Sequence, residues 1–382
     1  MTINYYSPFV YTGTGSSTEN GSQGIKIVPG DPKRFVITGT SGNLSYAGQG
    51  SIYVGAIDNK NTSQGNGSGS WTLMSVPSSW GAAASSIYGP GAITPGPGTA
   101  GISSIQLAGT YTKLIDVKGK SSYRTLGFVY DGPLTSTPRA SNFKPFTAKT
   151  PDGKETFDTF LHSWSGRYVA GNYTLTNRFL ALTLNTGIKS SAFLYDSVTG
   201  KQVYLPYNDG SASHTAFGIW QNPGSGTSSE SYTIAGGATV ANPALRALGA
   251  ATLIDYDPVS GKMSNQRNYQ YNNDQSNAFV THFEGIFRTD SGIYQMPFVA
   301  ASKSGIFAGN AYVKRLANGQ FSKNAIWQTF NAGSLGSILT NDSSARLGST
   351  GIINSNDTIQ PYMSMMDSNA YNDLLQKAQS LT

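Results

Sequence analysis

The sequence predicts an all-β chain folded as a six-bladed β-propeller of four-stranded blades, and three observations carry that prediction. Charged residues make up only 12% of the chain while Gly (45) and Tyr (22) are abundant, with many Ser, Thr and Asn, a composition that favours strands and turns over helices. A short apolar run closed by a small or turn residue recurs along the 382 residues at a spacing near 64. Finally, the last repeat lacks an outer strand, and the N-terminus carries a segment that would supply it.

The recurring run is Val36-Ile-Thr-Gly39, Leu107-Ala-Gly109, Val169-Ala-Gly171 and Ile234-Ala-Gly236, followed by the looser Gln295-Met-Pro297 and Ile359-Gln-Pro361. Self-similarity at such a period marks a repeat architecture in which each unit is one supersecondary element. The clearest unit reads as four strands in order: Thr215–Trp220, Ser231–Gly236, Ala251–Tyr256 and Asn268–Tyr271. Each is a handful of β-branched or aromatic residues bounded by turn formers. The next unit repeats the order as His282–Phe287, Gly292–Met296, Asn310–Val313 and Ala325–Phe330. The third strand Ala192–Asp196 runs into Ser-Val-Thr-Gly200, and Asp257-Pro-Val-Ser-Gly261 occupies the same place later. Both are hairpin turns in which Asp bonds the turn backbone and Gly takes a positive φ.

At the C-terminus, Leu347–Ile353, Asp357–Tyr362 and Asn369–Asp373 read as the first three strands of a sixth unit. Tyr6-Ser-Pro8-Phe9 matches the fourth-strand segments Phe143-Lys-Pro145-Phe146 and Tyr204-Leu-Pro206-Tyr207, and an outermost strand tolerates proline because its N–H can be spared. One propeller domain over residues 1–382 follows, its closing blade built from an outer strand in 1–15 and inner strands in 345–382. Closure by both termini leaves no open sheet edge in the ring. The alternative is five blades with a C-terminal extension. Two insertions stand apart: the polar run 59–70, expected as a loop with no apolar area to bury, and the Gly-Pro-rich 89–101, expected as a turn-rich connection.

The phrases Ser191-Ala-Phe-Leu-Tyr-Asp196, Thr215-Ala-Phe-Gly-Ile219 and Tyr232-Thr-Ile-Ala-Gly-Gly237 resemble the bacterial extracellular repeat proteins of the HAF type. The resemblance covers two or three units well and implies a secreted bacterial propeller without implying an activity. No Ser-x-Asp-x-Gly-x-Thr-Trp box and no Trp-Asp dipeptide is present, which disfavours the families those motifs mark.

Composition also limits function. The formal charge of +6 gives a weak bias toward anionic partners, but Lys118, Lys120 and Arg124 are scattered, without the clustered footprint that nucleic acid requires. No run of 18 apolar residues would form a membrane-spanning helix. The absence of cysteine excludes a disulfide scaffold. The N-terminal Met1-Thr-Ile-Asn-Tyr-Tyr is not a signal peptide, and an extracellular location is expected from the polar, Lys-poor composition.

Candidate chemistry concentrates before the innermost strands, whose loops converge on the channel mouth. All three histidines lie there: His162 in Thr159–Gly166, His214 before Thr-Ala-Phe-Gly218, and His282 before Phe-Glu284-Gly285. Three imidazoles with Glu284 nearby are a ligand set for zinc, nickel or manganese, with an open position for substrate. The alternative is that each histidine hydrogen-bonds neighbouring backbone in a crowded channel. Asp158 and Glu284 are candidates for an acid and base pair across the channel, and Asp255 with Asp257 for a calcium site, against a turn role for Asp257. Trp164 and Trp220 are candidate stacking platforms for sugar rings, with packing between blades as the alternative. Arg167 and Arg346 are candidates for holding an acidic group. The expected function is a binding protein with one central site for a glycan or cell-surface polymer. Its rival is a metal-assisted polysaccharide lyase or hydrolase with Glu284 as ligand or general base.

Overall fold

A computed structural model describes residues 2–11, 20–42, 47–62, 65–117, 119–175, 190–205, 213–223, 230–240, 248–274 and 278–382. Of the residues singled out above, Lys118, Pro206 and Tyr207 lie outside this set. Among the described residues the chain is mostly strand, in a propeller-like arrangement of four-stranded antiparallel units.

The first sheet orders β2 (Asn20–Val28), β3 (Asp31–Ser41), β4 (Gln49–Gly55) and β7 (Ser70–Met74) from inside to outside; β5 (Asn61–Thr62) and β6 (Gly65–Asn66) form a small hairpin within its last connection. The second orders β8 (Ala84–Pro95), β9 (Ile102–Val117), β10 (Lys120–Gly132) and β11 (Phe143–Phe146). The third orders β12 (Asp158–Ser165), β13 (Tyr168–Thr174), β14 (Ser190–Asp196) and β15 (Lys201–Tyr204). A nine-stranded sheet follows. It comprises β16 (His214–Asn222), β17 (Ser231–Val240), β18 (Leu248–Asp257) and β19 (Lys262–Tyr269), then β20 (Ala278–Phe283), β21 (Phe287–Arg288), β22 (Ile293–Ser302), β23 (Gly305–Lys314) and β24 (Ile326–Thr329). Among the described residues, the one ladder pairing between its two halves is the parallel bridge Gly249–Val280. The last sheet contains β25 (Ser337–Ile338), β26 (Ser343–Ala345), β27 (Gly348–Ser355) and β28 (Thr358–Met366), with β1 (Ile3–Tyr6) as its outer strand.

The inner strands meet in cyclic order: β2 packs on β8, β8 on β12, β12 on β16, β17 on β20, β22 on β26, and β26 and β27 return to β2. β1 runs antiparallel to β28 with Ile3 opposite Met366. The terminal sheet is therefore one strand out of phase with the sequence reading. Leu347–Ile353 falls mainly in the second strand, the innermost position belongs to β25 and β26, and Asn369–Asp373 is helical. That segment lies in α1 (Ser368–Gln379), capped by the Asp367 carboxylate, which accepts from the Asn369 and Ala370 amides. The helix buries Tyr371, Leu374 and Ala378 against Ile293 and Tyr312. Residues 89–95, expected as connection, are the second half of β8, and the polar run 59–70 contributes the β5–β6 hairpin.

The core lies between sheets. Tyr53, Tyr130, Tyr232, Tyr294, Tyr312 and Tyr362 are fully buried, and Tyr168 meets Tyr232 edge-on at 5.0 Å across two sheets. Burying a ring of this size stabilises by roughly 1.5–3 kcal/mol. Arg315 ties the halves of the nine-stranded sheet together. Its guanidinium donates to both Asp255 oxygens at 2.7 Å and lies 4.5 Å from the Phe321 ring. Asp255 is thus an ion-pair partner rather than a calcium ligand, and Asp257 accepts from the Val259 amide and Ser260 hydroxyl of its turn.

The recurring glycine has a steric cause. Each lies on a second strand opposite an irregularity in the first, so close that a Cβ would meet backbone: 1.9 Å from Gly21 O at Gly39, 2.3 Å from Ser86 O at Gly109, 2.6 Å from Phe160 O at Gly171, and 1.9 Å from Thr215 O at Gly236. In the last sheet the residue in this position is Gly351, 2.2 Å from Thr340 O, not the Ile359-Gln-Pro361 run, which lies in β28.

Candidate functional site

The irregularities opposite those glycines build the site. In β2 the pairing skips Gln23, in β8 it skips Tyr88, in β12 it shifts across His162 and Ser163, and in β16 it skips Phe217. Pairing also lapses between Phe283 and Phe287, where Glu284 lies, and between Ile338 and Ser343, where Asp342 lies. A bulge re-aims the side chain at the extra residue. Gln23, Tyr88, His162, Phe217, Glu284 and Asp342 together line one cavity of about 520 Å³, joined there by Phe160 and Thr215.

Each ring residue is followed by Gly or Ser: Gln23-Gly24, Tyr88-Gly89, His162-Ser163, Phe217-Gly218, Glu284-Gly285 and Asp342-Ser343. A Cβ on Gly24 would lie 2.1 Å from Tyr88 O, and one on Gly89 2.3 Å from His162 O. Neighbouring inner strands approach most closely at this level, and the small residue is what lets them.

The ring is aromatic on one side. Tyr88 meets His162 edge-on at 4.8 Å, His162 meets Phe217 at 4.4 Å, and Phe217 meets His282 at 4.5 Å. The other side is acidic. Glu284 Oε1 is 2.9 Å from His282 Nδ1, and His282 Nε2 is 2.5 Å from Thr215 Oγ1. Burial, reinforced by the neighbouring Glu284 charge, pushes the Asp342 carboxyl up to about 8, so it is protonated at neutral pH. Burial with His282 nearby pushes His162 down to about 3, so its imidazole is neutral. His162 keeps some accessible surface because it faces the cavity, yet it stands deep below the outer surface, and desolvation dominates. The site thus offers a hydrogen-bond donor in Asp342, an acceptor in Glu284 and aromatic faces beside them.

The three histidines are not brought together. Phe217, from the strand between theirs, contacts both His162 and His282, while His214 is 9% exposed, pairs in register with Ala238 and lines neither cavity described here. Among the described residues no group of three or more His, Asp or Glu is placed to hold a metal. Asp158 does not face Glu284: it accepts from the Thr125 amide at 2.8 Å and the Thr174 hydroxyl at 3.3 Å. Arg167 is engaged outside the channel by Asp196, at 2.8 and 2.5 Å.

Trp164, Trp220 and Arg346 belong to a second cavity of about 660 Å³. It lies past the bulges, at the end of the inner strands remote from the loops expected to hold the site. Trp164 is 5% exposed, with its indole N–H donating to Gly166 O, and Trp220 packs edge-on against Phe287 at 5.5 Å. Both therefore pack between strands, and both also line this far chamber. Tyr88 and Ser163 border both cavities.

The fold is similar to that of a sialidase. A Trypanosoma rangeli sialidase in complex with the inhibitor DANA aligns with a TM-score of 0.50 at 10% identity, covering 98% of this chain and 61% of that one. The same enzyme with sialic acid aligns at 0.47 and 9% identity, covering 98% and 60%. A Leishmania mexicana mannose phosphorylase, MPT-4, in complex with phosphate aligns at 0.38 and 10%, covering 81% of this chain and 89% of that one. This chain thus spans about three fifths of the sialidase, and at such identity the likeness is one of fold. No family model and no curated protein matches the sequence.

Proposed function

We propose that the chain is a six-bladed propeller that binds a glycan in its central channel, at the ring of Gln23, Tyr88, His162, Phe217, Glu284 and Asp342. The blade count reads the nine-stranded sheet as two blades, supported by the single bridge that joins its halves. The binding reading is carried by one observation. Six inner segments each turn a side chain, at a bulge or at a lapse in pairing, into the same 520 Å³ cavity, and the set combines aromatic faces with two carboxyl groups, one of them held protonated. Sugar recognition needs that combination, flat apolar faces for C–H surfaces and paired donors and acceptors for hydroxyls. The chemistry differs from unit to unit, which fits one central ligand rather than one sugar per blade.

Calorimetry with a panel of neutral oligosaccharides tests this. Binding that falls by about tenfold or more in Phe217→Ala and Glu284→Gln supports the ring. Absence of binding across the panel, or binding indifferent to both substitutions, removes it.

The acid pair favours a second reading, glycoside hydrolysis in which Asp342 gives a proton to the leaving oxygen while water adds to the anomeric carbon and passes its proton to Glu284. Release of nitrophenol from aryl glycosides, lost by about a hundredfold or more in Asp342→Asn, would establish it. Binding without turnover would leave the first reading alone.

A further inference from the structure

The far chamber holds a half-buried amine that the ring does not use. Lys26, on β2, lines this cavity and donates from Nζ to Gly91 O at 2.7 Å. An ammonium carries three donors. The described residues give this one no second acceptor and no carboxylate within ion-pair distance, an arrangement that costs stability unless a ligand completes it. The other charged groups around the chamber do not pair with it. Asp31 lies by Arg34 at 4.0 Å and accepts from the Lys33 amide, Asp290 is exposed at the rim, and Arg346 lines the wall with a backbone φ of 54°. Burial alone pushes the Lys26 amine down to about 8, so most of it is still charged at neutral pH. A second polar group is unmatched. Ser344, 4% exposed, lines the same cavity, and its hydroxyl has no hydrogen-bond partner. Trp220 and Tyr371 supply aromatic wall.

We propose that this chamber is a second binding site, for a monoanion that carries its carboxylate on a ring: the carboxylate meets the Lys26 ammonium and the Ser344 hydroxyl, and the ring lies against Trp220. Beside Lys26 the chamber is lined by two acids, Asp31 and Asp290, and one further cation, Arg346, a balance that suits one negative charge better than a dianion such as phosphate. Acidic sugars and aromatic acids share this chemistry. The site stands independently of the ligand proposed for the bulge ring.

Calorimetry on the full chain near pH 7 with glucuronate, benzoate and glucose tests it. One of the two carboxylates binds, glucose does not compete with it, and Lys26→Met weakens binding by about tenfold or more, the usual scale of a hydrogen bond to a charged group. Ser344→Ala weakens it by a smaller factor, and Glu284→Gln, in the ring, leaves it unchanged. Preference for glucuronate assigns an acidic sugar, and preference for benzoate an aromatic acid. A second measurement does not depend on the folding of the variant: the bound carboxylate slows acetylation of Lys26 by acetic anhydride, followed by peptide mass spectrometry. The proposal is overturned if neither carboxylate binds, if Lys26→Met binds as well as the parent, or if Lys26 acetylates equally fast with and without ligand.

Discussion

The two chambers of the channel are built on the same inner strands and share Tyr88 and Ser163 as a border, yet burial leaves them with different charge states. In the bulge ring, low polarity leaves an acid protonated and a histidine neutral, so Asp342 and His162 both lose charge. In the far chamber it weakens an amine only partly, and Lys26 remains mostly a cation at neutral pH. The same physical cost gives a hydrogen-bonding site at one end and a charged one at the other, because desolvation always favours the neutral form and the side chain decides which form that is.

The largest effect comes from breaking what the chambers have in common. Gly24 borders the far chamber, and its missing Cβ admits the Tyr88 carbonyl of the next strand; a Cβ would lie 2.1 Å from that oxygen. Gly24→Val and Gly236→Val should each destabilise by about 3 kcal/mol or more, at the upper end of overpacking costs. Both chambers should lose their ligands together. Gly21→Ala is the control, since a Cβ there meets nothing within 4 Å. Denaturation curves decide the matter, and equal stability of Gly24→Val and Gly21→Ala would show that the ring does not depend on the close approach of strands.

Titration separates the chambers. The Asp342 pKa is raised in the folded chain, so between about pH 4 and 8 the native state holds a proton that the unfolded state has lost, and stability falls as pH rises, by at most about 1.4 kcal/mol per pH unit. His162 works the other way. Its depressed pKa means that the unfolded state binds the extra proton between about pH 3 and 6.5, and stability rises with pH there. Asp342→Asn should abolish the decline between pH 6.5 and 8 and leave the acid limb in place. An unchanged decline in that variant would assign it to another group.

How much of this was legible in the sequence follows from the same residues. The strand order of the middle units was readable, because β-branched runs between Gly and Asn turns have a period of two whatever surrounds them. The terminal unit was read one strand out of phase, since Ile359-Gln-Pro361 imitates the recurring motif while the residue filling its steric role is Gly351. Of the candidate residues, Glu284 lies 2.9 Å from His282, and His162 and Glu284 line the cavity. Gln23, Tyr88, Phe217 and Asp342 were missed, although each precedes Gly or Ser as His162 and Glu284 do. Their offset from the recurring glycine varies with the length of the intervening loop, so a fixed-period search passes over them. The three histidines are spread for a reason sequence does not show: the irregularity in β16 falls at Phe217, which lines the cavity, while His214 pairs in register with Ala238 and does not.

Lys26→Met tests the far chamber on its own. The depressed amine pKa means that between about pH 8 and 10.5 the unfolded state holds the proton, so parent stability rises with pH across that interval. The substitution should remove that rise and stabilise the chain near pH 7 by up to about 1 kcal/mol, because a half-buried cation with one protein acceptor is replaced by an apolar side chain of similar length. Loss of stability on substitution would mean that Lys26 is paired by groups outside the described residues, and would count against the chamber as a carboxylate site.

The smallest effect is expected at Arg167. It lies on neither cavity, its guanidinium is held by both oxygens of Asp196, and that carboxylate also accepts from the Val198 and Thr199 amides of the β14–β15 turn. The turn keeps its own hydrogen bonds when the arginine is removed, and Asp196, itself buried, still accepts from the Val198 and Thr199 amides and the Thr199 hydroxyl, so the cost falls on stability and not on either cavity. Arg167→Gln should therefore leave oligosaccharide and glucuronate affinities within about twofold of the parent, in contrast to substitutions in either chamber. A larger loss for either ligand would extend its site to the turn between β12 and β13, where Arg167 lies 5.5 Å from the Tyr168 ring.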